Sequence, residues 1–474
     1  MTSEKRWIIS FFIVGAIWLA ILSGLLYQWL SGTEVLVDRD FDLLYVTIPL
    51  LGLSLLYTLT SIFVFFTYIV TYGRVRKYQK QKVDLSKGQF KSNINNTSST
   101  HAVRTVVIKN DNQEEDLCSI IIPSRNEEKV IRETVHNCLS QTYKNIEVIV
   151  VCHNCTDRTF EEAQVHDRRV KAFEFKTKEA GKGIALNYGV EQATGKFLLI
   201  LDSDGKLSED FIEKALPLFE DNVAAVQGRY IPSNRHYNFV TELASIEGDL
   251  WSVPFMTVRS FLQKKVYLGG TGYIIRKDIL LKVGKYNSSL VDDYELSCRL
   301  FRAKYKVLFA PLSINFDEKP PSMGMFLRQR ARWARGFIAM LKVKATQPTD
   351  ILAHIYWLAP ISAMAGLAVL LIFGYAVIHN LLFGYYPYSY AYIPLNIWFI
   401  LIAIIFIMQC SVLAKQYGRS GLKYAPYLFA YNPFLVYVYV IFIKAFFVKS
   451  WANTKTVHGF IKETKAEKIV ADAS

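Results

Sequence analysis

Apolar positions along this 474-residue chain gather toward both ends, while the middle alternates short apolar runs with mixed stretches. Residues 7–30 and 43–72 contain no charged side chain. Roughly 20 apolar residues cross a bilayer as a helix, so each reads as a membrane span rather than a buried core helix. The first is too long for a cleaved signal peptide and has no small-residue cleavage site. Three more apolar segments follow the middle, at about 351–378, 392–413 and 425–448. Asn432-Pro433 can break the last into an interface piece and a shorter crossing.

The middle has a different rhythm. Ser119–Pro123, Ile146–Cys152, Val170–Phe175 and Phe197–Leu201 read as strands. Glu128–Gln141, Thr156–Val165 and Gly183–Thr194 between them read as helices. Strands alternating with helices predict βαβ units and a mainly parallel sheet. Unbroken apolar strands fit a sheet covered on both faces. Ligands of such sheets sit beyond the carboxyl ends of the strands, where Asp202 and Asp204 fall. Residues 83–114 are rich in Ser, Asn and Thr and read as a linker with one short strand at Val103–Ile108. Ser322–Lys344 mixes Met325, Phe326, Trp333, Phe337 and Met340 with Arg and Lys, the pattern of a basic helix lying at a membrane surface.

Charge orients these pieces. The net charge is +14, and Arg74, Arg76, Lys77, Lys80 and Lys82 follow the second span directly. The loop between the first two spans is acidic (Glu34, Asp38, Asp40, Asp42). The positive-inside rule then puts that loop outside and residues 73–345 in the cytosol. Attraction to anionic lipid accounts for the basic cluster, so nucleic acid is not an expected partner. Five of six cysteines fall in the cytosolic part, where disulfides are rare. Cys152-His153-Asn154-Cys155 has no second pair at metal-ligand spacing, which argues against zinc.

Three polar motifs carry the candidate chemistry. Asp202-Ser203-Asp204 closes an apolar strand, and two acids one residue apart can converge on a hard cation bridging a diphosphate. Asp292-Asp293-Tyr294-Glu295 is either a set of acids with one raised pKa, suited to a general base, or a charged helix start favoured by the dipole. Gln329-Arg330-Ala331-Arg332-Trp333 offers planar guanidinium forks for phosphate and an indole that can stack on a sugar, or else a cationic helix anchored in headgroups. Gly181-Lys182-Gly183 allows close approach of an anionic nucleotide before a helix, without P-loop spacing.

The three polar motifs, in the order 202–204, 292–295 and 329–333 within residues 115–345, resemble the membrane-embedded family 2 glycosyltransferases, the cellulose, chitin, hyaluronan and poly-N-acetylglucosamine synthases. The resemblance implies an α/β nucleotide-sugar-binding domain of GT-A type inserted between N- and C-terminal transmembrane helices. It implies Asp293 as the general base, Asp204 as the metal ligand for Mg²⁺ or Mn²⁺, and Trp333 at the acceptor sugar. Donor binding then falls to Asp202, Lys182, Arg125, Glu127, Gln329, Arg330 and Arg332. Trp451, Thr454 and Lys455 resemble a gating loop that closes over the nucleotide. Where the family places an aspartate on uracil, this chain has His153, which leaves the donor base open. Gly269-Gly270-Thr271-Gly272 is either an acceptor-side segment or a simple turn, and Val226–Tyr230 has no assignment.

The expected organisation is two spans (1–72), a basic juxtamembrane segment and linker (73–114), a cytosolic GT-A domain (115–320) and an interface helix (321–348). A membrane region (349–448) and a cytosolic tail (449–474) complete it. The expected protein is a multi-pass enzyme of the plasma membrane that polymerises a β-linked polysaccharide from UDP-glucose or UDP-N-acetylglucosamine and moves it across the bilayer. The alternative is a single transfer to a lipid acceptor such as ceramide, diacylglycerol or polyprenyl phosphate. Expected partners are thus the nucleotide sugar, a growing glycan or lipid acceptor, and membrane lipids.

Overall fold

Strands β1 (Cys118–Ser124), β2 (Ile146–His153), β3 (Val170–Phe175) and β4 (Phe197–Ile200) pair in parallel in the order β3-β2-β1-β4. In the computed structural model, residues 44–87, 116–179, 181–287, 291–342, 374–375, 378–385 and 395–431 are described. Alternate residues of the central strands feed opposite faces. Ile121, Ile149, Val151, Leu198 and Ile200 join one apolar cluster, and Ile120, Ile122, Val148, Val150 and Leu199 join the other. That two-sided burial is why the strands lack polar alternation.

Beyond β4 the sheet turns mixed, a departure from the mainly parallel expectation. β5 (Lys206–Leu207), β6 (Val223–Pro232), β7 (Tyr273–Arg276) and β8 (Lys306–Asp317) complete eight strands in the order β3-β2-β1-β4-β7-β6-β8-β5. β7 lies antiparallel between β4 and β6, whereas β6 and β8 are parallel. A register shift between Gly228 and Arg229 interrupts the β6–β8 ladder. Such a bulge re-aims the side chains beyond it.

Helix α1 (Leu44–Ser86) is 43 residues long, about 65 Å at the α-helical rise. It does not stop where the uncharged stretch ends. The basic stretch continues as helix along the sheet domain, so the boundary expected at residue 72 falls inside one helix. Gln79 is fully buried there, donating to Lys214 O and Ser313 Oγ (3.1 Å each) and accepting from Leu312 N (2.8 Å). Lys82 and Tyr78 both reach Glu220, and Lys87 reaches Glu213. Further out, Leu59, Phe63, Phe66 and Val70 form an uncovered apolar stripe, while Val64, Phe65, Tyr68 and Tyr72 face the core.

Among the described residues one helical stretch, Thr58–Ser86, is long and apolar enough to cross a membrane. A helix at Leu395–Tyr417 covers most of the expected segment 392–413. The segment 7–30, nearly all of 351–378, the part of 425–448 beyond Tyr431, and the short strand at Val103–Ile108 lie outside the described residues.

Candidate active site

The carboxyl ends of β1, β2 and β4 form one rim. Lys182 opens the helix Lys182–Gln192, whose first turn packs so closely on the chain that a Cβ at Gly183 would meet Asn287 O at 2.7 Å. From there Lys182 Nζ donates to Asp202 Oδ1 (2.5 Å) and to Gly270 O (2.8 Å). The Asp202–Gly205 turn is held from two sides. Thr134 Oγ1 donates to Ser203 O (2.7 Å), and Asp202 N donates to Thr271 Oγ1 (2.9 Å).

Asp292 and Asp293 begin the helix Asp292–Arg302, with Glu295 in the same turn and Arg299 and Arg302 in the last. This charge order suits the helix dipole, so the helix-start reading of these acids holds alongside any chemical one. Burial first, and then the neighbouring Asp292, push the Asp293 carboxyl up to about 7, against a 2.7 Å bond from Tyr294 N. Burial also raises Asp292, against the pull of Lys182. Burial alone would lower Lys182, but Asp202, Asp292 and Asp293 outweigh it and hold the ammonium above its ordinary value. Arg332 feels the same acids: desolvation lowers its pKa while Asp202, Asp293 and Asp292 oppose the shift. Lys182, Asp202, Asp292, Asp293 and Arg332 are therefore one electrostatic cluster, built from four separate stretches of sequence.

Gly270 sits at its centre. Its φ is +83°, and a Cβ there would lie 3.1 Å from Asp293 Oδ2 and 3.8 Å from Lys182 Nζ. Two residues without a sequence assignment grip the loop Gly269–Gly272. Gln227 Nε2 donates to Thr271 O and Gly272 O (3.1 and 3.0 Å), and its Oε1 accepts from Gly269 N (2.9 Å). Tyr230 OH lies 2.8 Å from both Gly269 O and Thr271 O. The signal for Gln227 was present: a glutamine directly after the apolar run Val223–Val226, inside a buried strand, is unusual unless it bonds to something specific.

The other expected residues take varied places. Arg125 is exposed at the end of β1, and Glu127 O accepts from Val130 N and Ile131 N to start the next helix. His153 is 3% exposed, with its ring against Phe175 and Nε2 2.7 Å from Thr177 Oγ1. Since that hydroxyl gives its proton to Glu179 O (2.6 Å), it accepts from His153 Nε2–H. Desolvation, then the charge of Arg125, lowers the His153 pKa. The imidazole thus sits under the rim as a packed group. Helix Met323–Lys342 carries Gln329 to Trp333, and Trp333 is 39% exposed. Arg330 is bound within the protein, with Nε 3.0 Å from Glu247 Oε2 and Nη1 2.8 Å from Gln329 Oε1. Trp451, Thr454 and Lys455 lie outside the described residues.

Asp202 and Asp204 supply hard oxygen donors of the kind Mg²⁺ and Mn²⁺ take. Among the described residues no three His, Cys, Asp or Glu side chains converge as a ready-made cage. The donor set therefore suits an ion that shares its shell with a ligand's oxygens, as Mg²⁺ commonly does at phosphates.

Residues 116–336 match the family model described as "Glycosyltransferase like family 2". That stretch is similar to the family 2 glycosyltransferases. It contains the mixed sheet and the acidic rim beyond β4. The chain is 30% identical over 229 residues to a probable glycosyltransferase YdaM of Bacillus subtilis, a match covering 46% of this chain and 54% of that protein. It is 24% identical over 246 residues to a poly-beta-1,6-N-acetyl-D-glucosamine synthase of Staphylococcus epidermidis (49% and 57% covered). The corresponding synthase of Staphylococcus aureus is 23% identical over 229 residues (46% and 54% covered). The matches thus span about half the length of these curated relatives. Among solved structures, the mannosyltransferase PcManGT from Pyrobaculum calidifontis, in complex with GDP-Man and Mn2+, aligns with a TM-score of 0.45 at 18% identity, covering 77% of this chain and 99% of that one.

Proposed function

We propose that this chain is an inverting, processive glycosyltransferase that builds a β-linked polysaccharide from a nucleotide sugar, UDP-N-acetylglucosamine or UDP-glucose. The observation that carries the reading is Asp293, a half-buried carboxylate raised to about 7 beside a lysine–aspartate pair. A base with that pKa is half ionised near neutral pH and can accept the proton of an acceptor hydroxyl. Asp293 takes that proton as the hydroxyl oxygen attacks the anomeric carbon and the bond to the diphosphate breaks. Lys182 and Arg332 provide positive charge for the departing diphosphate, and Gln329 adds a donor. Asp204, with Asp202, would hold Mg²⁺ or Mn²⁺, whose contribution is to offset charge on that leaving group. Trp333 offers its ring face to the acceptor sugar.

The polymer rather than the single-transfer reading draws on the likeness to poly-N-acetylglucosamine synthases. A multi-pass membrane position draws on the uncharged stretches 7–30 and 43–72 and on the uncovered stripe Leu59, Phe63, Phe66 and Val70. The test is full-length protein in lipid nanodiscs with Mg²⁺ or Mn²⁺ and a panel of radiolabelled nucleotide sugars. A high-molecular-weight product, absent with Asp293→Asn, is the expected outcome. A small, organic-extractable product would move the assignment to lipid glycosylation, and no turnover by wild type would defeat it.

A further inference from the structure

The helix Phe239–Glu247 does not pass smoothly into Val253–Leu262; a π-helical turn, Gly248–Ser252, joins them. Such turns recur at functional sites because they rotate side chains out of α-helical register. On either side of its first residue stand two acids with different partners. Asp249 is buried and accepts from Arg235 Nη1 (2.6 Å) and Tyr417 OH (2.6 Å). Glu247 turns to the helix Met323–Lys342 and accepts from Nε and Nη2 of Arg330.

All three Arg330 nitrogens then have partners within the protein. The Nε/Nη2 edge, the fork that would otherwise clasp an anion, is on Glu247. Its guanidinium carbon lies 4.1 Å from the Trp333 ring centroid and 4.4 Å from that of Phe326. Nη1 donates to Gln329 Oε1. Because arginine can only donate, the Gln329 atom facing it must be the oxygen. That fixes the amide's orientation and leaves its NH₂ as the donor for a ligand oxygen. The same contact covers part of the Trp333 ring and so restricts where a sugar can stack.

We propose that Glu247 is a positioning residue acting through Arg330, which sets the orientation of Gln329 and Trp333 rather than gripping the donor diphosphate. The π turn is its brace: Trp251 packs on Phe65 of α1 (6.0 Å between centroids), and Asp249 ties the turn to the end of helix Leu395–Tyr417. This rests on the glycosyltransferase reading above.

The experiment is a double-mutant cycle on the full-length chain in lipid nanodiscs, with Glu247→Gln, Arg330→Met, the double variant, and the charge-swapped Glu247→Arg/Arg330→Glu. Turnover is measured with UDP-N-acetylglucosamine and UDP-glucose, and binding with UDP itself. Each single variant is expected to lower kcat roughly tenfold, with the double variant within about twofold of either, because residues acting as one unit are non-additive. UDP affinity is expected to stay within about threefold of wild type, and the charge swap to recover part of the lost kcat. A tenfold loss of UDP affinity in Arg330→Met with Glu247→Gln unaffected would make Arg330 a donor ligand and overturn the proposal. Additive losses would overturn it too. So would a drop in Tm with unchanged kcat per folded molecule, the signature of a purely structural pair. An inactive wild type would defeat the transferase reading itself, and the proposal with it.

Discussion

Lys182 Nζ donates at 2.5 Å to Asp202 Oδ1 and at 2.8 Å to the carbonyl of Gly270, the residue packed against Asp293. One ammonium therefore joins the acidic strand end to the loop beside the proposed base. Its charge also favours the ionised form of Asp293. Lys182→Met should lower kcat/KM by roughly 10²-fold, the scale of losing a preorganised charge in a transition state. It should also move the acid limb of the pH–rate profile to higher pH, because Asp293 loses a stabilising cation. A pH–rate series on the two proteins checks both.

For the wild type the sign is fixed by which form works. Asp293 accepts a proton only when ionised, so kcat/KM should rise through about pH 7. Asp293→Asn should remove that limb and lower turnover by about 10²–10⁴-fold, the usual span for a general base. Stability runs the other way. A carboxyl raised in the fold binds more protons there than in the unfolded chain, so its contribution falls as pH climbs from the ordinary aspartate range toward 7. Thermal melts of wild type and Asp293→Asn between pH 5 and pH 8 should converge at the acid end.

Gly270 allows a sharper test of the same geometry. A methyl group there meets φ +83° and stands 3.1 Å from Asp293 Oδ2. Gly270→Ala should cost about 1–2 kcal/mol of stability from left-handed backbone strain. It should also cut kcat by tenfold or more, because a displacement of about 1 Å at a reacting group can cost about 10²-fold. The two effects separate if kcat is normalised to folded protein.

Much of this was legible in the sequence, for a physical reason. β1, β2 and β4 are almost entirely buried, so their apolar runs stood out, and the acids at 202–204 followed from where such strands end. The second half of the sheet was not legible. β7 pairs antiparallel with β4 from seventy-odd residues away, a contact that no local pattern encodes. The grip of Gln227 and Tyr230 on the glycine loop also depends on the register shift at Gly228, which is visible only once β8 is in place. His153 occupied the expected strand end, but its ring packs beneath Thr177, which spacing alone could not tell. Arg330 read as one more cation in a basic run until Glu247 appeared opposite it.

Removing divalent cations should abolish turnover, since Asp202 and Asp204 alone present anionic charge to an anionic diphosphate. Chelation with EDTA should silence the enzyme, and Mg²⁺ or Mn²⁺ should restore it. Asp204→Asn should raise the cation concentration needed for half-maximal activity by tenfold or more, the loss of one charged ligand. Unchanged activity in EDTA would remove the metal from the mechanism.

A buried charged cluster joins the sheet domain to its flanking helices. Arg235 is 1% exposed and bonds Glu242 Oε1 (2.8 Å), Asp249 Oδ2 (2.6 Å) and Tyr417 OH (3.2 Å), with Tyr424 stacked 3.7 Å from its guanidinium. Nearby, Arg229 donates to Tyr72 OH of α1 and to Gln416 Oε1 (3.1 Å each), and Gln416 Nε2 donates to Asp249 O (2.7 Å). Two buried cations and two buried acids thus hold the catalytic domain, α1 and the helix Leu395–Tyr417 together. Breaking such a group by removing one member leaves uncompensated buried charge, at about 3–5 kcal/mol. Arg235→Met leaves both acids without their main partner, so it should lower Tm steeply and reduce the yield of folded protein from detergent. Tyr417→Phe removes only hydroxyl bonds and should cost about 1–3 kcal/mol. If the two variants melt alike, the stability of this joint comes from apolar packing around the cluster and not from its charges.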